Sequence, residues 1–152
     1  MSHTEFVGTG GLIIRNLTLN DVKAVVAIEK KLDGRVRPEY WEKKLEEYTA
    51  DPEACVGVDV KGKLVGFIIG HVKGGVFGTE DDIGWVEVMA VDPDYQGSHL
   101  GQLLAQTLFD CFRRKGVRTI HTLCDWKETS ILGFFAALGF TKGDYIHLQI
   151  KL

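Results

Sequence analysis

Apolar and polar positions along this chain change period several times, and each change marks an element. Positions 12–15 (Leu-Ile-Ile-Arg) read as a first strand. Thr18 and Asp21 then supply an N-cap and an acidic first turn. They precede Val22, Val25, Val26 and Leu32 on one helical face. Positions 33–37 break that helix. Pro38 suits the start of a second one, whose stripe is Tyr40, Trp41, Leu45 and Tyr48. Val56, Val58 and Val60 alternate with Gly57 and Asp59, the period of a half-buried strand. Lys61-Gly62 turns it into 64–72, an antiparallel hairpin. The Gly-rich stretch 73–82 reads as a long loop, either functional or a plain surface connection.

Positions 83–91 form the central strand. Leu100, Leu103, Leu104, Leu108, Cys111 and Phe112 then recur at helical spacing. Arg113, Arg114 and Lys115 suit that helix's last turn, and Gly116 its stop. A strand over 117–124 follows. Asp125 and Glu128 match the two acidic places of a capping box, and the next helix stops at Gly139. Ile146, Leu148, Ile150 and Leu152 alternate with polar residues, which predicts a last strand over 145–152. The order predicts an α/β fold: a mixed domain around a single sheet. One domain spans 1–152, with 1–10 polar, Gly-rich and flexible.

Composition narrows the function. The 152 residues are 45% hydrophobic and 26% charged, ordinary for a globular domain. A net charge of -3 gives no basic field for nucleic acid. Cys55, Cys111 and Cys124 are an odd set without C-x-x-C spacing, which argues against disulfides and against a zinc site; no metal is expected. No apolar run is long enough for a membrane span, so neither a membrane nor a nucleic-acid partner is expected. A reducing cytoplasm is the default, and monomer or homodimer stays open.

The densest chemistry lies in 86–104, where a strand runs through a small, polar, Gly-bearing turn straight into an amphipathic helix. The first amides of a helix lack intrahelical acceptors and carry positive potential, so this junction is a seat for a phosphate or diphosphate. The glycine spacing is not that of a dinucleotide fold, and no Gly-Lys-[Ser/Thr] makes it a P-loop.

Gln96-Gly97-Ser98-His99-Leu100-Gly101 resembles the [Gln/Arg]-x-x-Gly-x-[Gly/Ala] signature of the GNAT superfamily of N-acetyltransferases. His99 stands where that family most often has Gly. Phe134-Phe135-Ala136-Ala137-Leu138-Gly139-Phe140 resembles its late F-Y-x-x-L-G-F element, and the C-terminal half looks most like the ribosomal-protein N-acetyltransferase branch. The resemblance implies the acyl-CoA N-acyltransferase fold: a single mixed, mostly antiparallel sheet with splayed central strands, flanked by helices. It also implies acetyl-CoA as co-substrate. The pyrophosphate would sit on the amides of Gly97, Ser98, His99, Leu100, Gly101 and Gln102, with Gln96 beside them. The pantetheine arm would run along Met89, Ala90 and Val91. Glu128, standing where many members carry an Asn, and Phe135 would border that arm.

The chemistry implied is acetyl transfer to a primary amine of a small molecule or protein by direct attack. An amine with a pKa near 10.4 is protonated at pH 7, so a base must take its proton. Glu87 is the candidate, at a position where some members place a His. On an alternating strand it shares a face with Trp85 and Met89. An ion pair is its plainer role. The family's usual acid, a Tyr, is replaced by Phe135. Tyr145, Tyr95 and Cys124 are substitutes, and Tyr145 is the one assigned here. His71 is either a cleft residue or a solvated strand end. The alternatives are a non-catalytic acyl-CoA-binding or sensing module, and a partner-binding protein that pairs through its last strand.

Overall fold

The computed structural model describes residues 6–7 and 11–152. The expected flexible stretch 1–10 lies outside these residues apart from Phe6–Val7. Six strands stand in sequence order in one sheet: β1 (Phe6–Val7), β2 (Leu12–Asn16), β3 (Cys55–Val60), β4 (Lys63–Gly74), β5 (Asp82–Val91) and β6 (Ile120–Thr122). Every neighbouring pair is antiparallel except β5 and β6, which are parallel. Helices α1 (Val22–Asp33) and α2 (Pro38–Tyr48) cover one face; α3 (Leu100–Arg114) and α4 (Thr129–Ala137) cover the other.

Local chemistry sets these boundaries. The Thr18 hydroxyl accepts from the Asn20 amide, and the Asp21 carboxylate accepts from the Thr18 amide at 2.8 Å, which starts the turn leading into α1. Lys61 and Gly62 both take left-handed angles, the geometry of a two-residue hairpin turn between β3 and β4. Two glycines bring α3 close to the sheet. A Cβ on Gly70 would lie 2.9 Å from the Phe112 ring, and one on Gly84 would lie 2.8 Å from it. The core therefore has two layers. Val25, Ile28, Trp41, Leu45 and Phe67 pack under α1 and α2. Val58, Val65, Ile68, Val86, Leu104, Leu108, Phe112 and Phe135 pack under α3 and α4.

Four expectations are corrected. Residues 145–152 form no strand and pair with none among the described residues. Alternation marks a face to be covered, but a strand also needs a neighbour to hydrogen-bond. The capping box at Asp125 and Glu128 is not formed. The Asp125 carboxylate accepts from the Lys127 amide at 2.9 Å in a local turn, and α4 begins only after Glu128. The expected 117–124 strand contracts to β6, and the long loop shrinks because β4 and β5 extend into it. Among the described residues no helix is long and apolar enough to cross a membrane.

Candidate functional site

Strands β5 and β6 pair only over Gly84–Ile120, Trp85–His121 and Val86–Thr122. Beyond that point β5 continues against β4 alone, so its other side is open from Glu87 to Val91. A cleft of about 960 Å³ fills the opening. Val88, Met89, Ala90 and Val91 form its floor. Lys127, Glu128, Thr129, Ser130, Ile131 and Phe134 line it from the start of α4, and Gln96, Gly97, His99, Leu100, Gly101 and Gln102 from the turn before α3.

That turn is held rigidly. Asp92 is 1% exposed. Its amide donates to the Val65 carbonyl at 2.7 Å, and its carboxylate accepts from the Asp94 amide and from Lys31 Nζ, both at 2.9 Å. Burial pushes the Asp92 carboxyl up, but the Lys31 and Asp94 hydrogen bonds outweigh it and hold the group below its ordinary value. The Gln96 side-chain amide donates to the Val91 carbonyl at 3.2 Å and closes the turn. His99, the N-cap of α3, has φ +64, and its side chain makes no capping hydrogen bond. This left-handed backbone explains why Gly is common at the position. The amides of Leu100, Gly101 and Gln102 are left without intrahelical acceptors. A Cβ on Gly101 would come within 3.2 Å of the Phe134 ring, so only glycine lets the start of α3 approach that wall.

Glu87 has no cross-strand partner: Ile69 faces Val88 and Gly70 faces Val86, which leaves Glu87 as the extra residue of a β-bulge. The bulge corrects the expected face. Glu87 stays on the side of Trp85, whose partner is His71, whereas Met89 packs into the opposite layer against α3 and α4. Glu87 Oε1 lies 3.1 Å from His71 Nδ1. The two border a smaller pocket with Tyr48, Lys44, Glu47 and Asp51, beside the main cleft rather than within it. Burial, then the charge of Glu87, pushes the Tyr48 hydroxyl up to about 12.

Three predicted residues fall elsewhere. Phe135 is buried in the core and stacks on Phe140, with centroids 5.0 Å apart; Phe134 lines the cleft instead. Helical geometry points adjacent residues about 100° apart, so only one of the two rings reaches the wall. Ser98, expected to contribute its amide, is not among the residues lining the cleft, and its hydroxyl is turned back to the Tyr95 carbonyl. Tyr145 stacks on Phe77 at 4.0 Å and lines neither cavity, so the structure does not bring it to Glu87. Cys124, one of the substitute acids, packs against the core under α3 and α4, where burial, then the charge of Glu128, pushes its thiol up.

Sequence reasoning also missed one wall. Glu29, Leu32, Asp33 and Arg35, at the end of α1 and in the loop beyond it, border the cleft with Trp41. Glu29 is buried. It accepts from Trp41 Nε1 at 2.9 Å and from the Arg37 guanidinium. The Arg37 hydrogen bond outweighs burial and, with that of Trp41, holds the Glu29 carboxyl below its ordinary value. The only trace of this wall in the sequence is Leu32, an apolar residue that half-faces solvent.

Residues 22–140 match the model of the acetyltransferase (GNAT) family, and the chain belongs to that family. It is 30% identical over 92 residues to mycothiol acetyltransferase of Thermobispora bispora, a match covering 60% of this chain and 31% of that protein. The chain thus spans about a third of the length of this curated relative. Its fold is similar to that of ribosomal-protein-alanine N-acetyltransferase from Brucella melitensis (TM-score 0.74, 19% identity, 93% of this chain and 99% of that one). It is also similar to aminoglycoside N-acetyltransferase AAC(6')-Iy in complex with CoA (TM-score 0.77, 17% identity, 99% and 96%).

Proposed function

We propose that this chain transfers the acetyl group of acetyl-CoA to a primary amine of a small molecule or protein by direct attack. The observation that carries this reading is the single strand β5, which joins an open main-chain edge and a bare helix N-terminus to a carboxylate on a bulge. The cleft suits the co-substrate: unpaired amides of Leu100, Gly101 and Gln102 meet a diphosphate, and the open side of β5 offers an extended arm a hydrogen-bonding edge.

Glu87, oriented by His71, takes the proton of the incoming ammonium directly or through water. The freed amine nitrogen bonds to the thioester carbon, a main-chain N–H of the open β5 edge stabilises the developing oxyanion, and the thiolate leaves. The bonded nitrogen gives up its second proton to solvent as the carbon–sulfur bond breaks, and the departing thiolate, with Phe135 in the core and Tyr145 on Phe77, takes a proton from solvent. No covalent enzyme intermediate is needed. Three free cysteines suit a reducing compartment such as the cytoplasm.

Titration calorimetry with coenzyme A and a thiol-release assay over a panel of amines test the reading together. Binding with turnover of at least one amine supports it. Binding with no turnover of any amine leaves the non-catalytic acyl-CoA module. No binding overturns both.

A further inference from the structure

In the segment 145–152, pattern and surroundings disagree. Ile146, Leu148 and Ile150 are 74–84% exposed and Leu152 is bare. His147, Gln149 and Lys151 hold the alternate positions. This alternation is that of a strand with one face in a core, yet the segment pairs with nothing among the described residues. β6, in turn, is an edge strand: β5 pairs with one side of it, and no described strand pairs with the other. An open edge and an exposed apolar strand are each an invitation to pairing. This chain carries both.

The segment is rooted at that edge. Tyr145 stacks on Phe77, and the Phe77 ring lies 5.5 Å from that of His121 in β6. In an extended segment Tyr145 shares a face with His147 and Gln149. Its anchorage on the His121 side therefore leaves the isoleucines and leucines for the opposite side, that of Ile120, which packs on the core under α3 and α4. The seven residues after Tyr145 reach about 23 Å when extended. A two-fold axis beside β6 puts a second copy's β6 edge within that reach.

We propose that residues 146–152 form a strand that completes the sheet of a second copy of this chain, lying along the outer edge of its β6, reciprocally about a two-fold axis. A two-fold closes the arrangement, so each copy both gives and receives one strand. The nearly bare aliphatic side chains of two segments bring on the order of 1,000 Å² of apolar surface, the scale of a specific interface.

Sedimentation velocity on the full chain in the micromolar range is expected to give twice the 16.9 kDa chain mass. Leu148→Asp together with Ile150→Asp is expected to give a monomer with an unchanged circular dichroism spectrum. A second measurement needs no variant. Nitrogen-15-labelled and unlabelled chains are unfolded and refolded together, then lysine cross-linked. Lys151 joined to Lys115 or Lys127, which flank β6 in sequence, is expected in heavy–light pairs as abundant as the two pure kinds combined. A monomer throughout, a dimer that survives both aspartates, or Lys151 cross-links confined to single-isotope pairs overturns the exchange. None of these readouts depends on acetyl transfer.

Discussion

The turn that leaves β5 and the surroundings of Glu87 sit on the same strand and are made of different material. At the turn, the groups facing the cleft are mainly backbone: bare amides at the start of α3, positioned by a buried Asp92 and admitted by a glycine at 101. Around Glu87 they are side chains drawn from α2, β4 and β5, and the far wall adds Glu29 and Arg35. On the proposed function, main chain holds what the acyl donor always carries, a diphosphate and an amide-bearing arm. Side chains recognise what differs. The first needs fixed residue types at fixed spacing, whereas the second is rebuilt for each acceptor.

The largest effect that tests this contrast belongs to Glu87→Gln. The turnover rate is expected to fall by about 10²–10⁴-fold, with coenzyme A affinity by calorimetry unchanged. An unaltered rate removes Glu87 from the chemistry. Gly101→Val does the reverse. Its side chain meets the Phe134 ring, and overpacking of this kind costs about 1–3 kcal/mol, which here reads as roughly tenfold to a hundredfold weaker coenzyme A binding.

Asp92→Asn tests whether the turn is held by that carboxylate. Thermal or denaturant unfolding is expected to show a loss of about 1–3 kcal/mol. In the parent protein the carboxyl is held below its ordinary value, so its contribution is complete above the unfolded pKa and fades as pH falls through the lower folded value. The acid limb of stability below about pH 4 should flatten in the variant. The smallest effect is His99→Gly, which relieves a left-handed non-glycine residue and is expected to raise stability by about 1 kcal/mol while leaving acceptor preference untouched. A changed acceptor preference would break the division between the two ends of the strand.

The same division decides what could be read from residues alone. The Gln96–Gly101 turn, the helix after it and the hairpin at Lys61-Gly62 are local, and their spacing carried through to the structure. Glu87 was identifiable as a carboxylate near the site and keeps the face of Trp85, but Met89 does not share that face, because a bulge inserts one residue and inverts alternation beyond it. Nothing in the local pattern announces a bulge. The Glu29 wall was invisible for a related reason. It joins α1 and α2 to a strand more than fifty positions away, and only tertiary packing brings them together. Phe134 and Phe135 show the limit at its finest, since either ring fits the motif and only helix orientation chooses between them. Segment 145–152 has the alternation of a strand, but alternation does not say whose sheet it joins.

The bulge at Glu87 has an evolutionary corollary. A residue that stands outside the ladder is under no obligation to a cross-strand neighbour, so its identity can drift from carboxylate to imidazole to amide without re-registering the strands on either side. On the proposed function, the scaffold sets a replaceable reagent next to a backbone grip, so that new acceptors can be sampled one substitution at a time while the donor stays held.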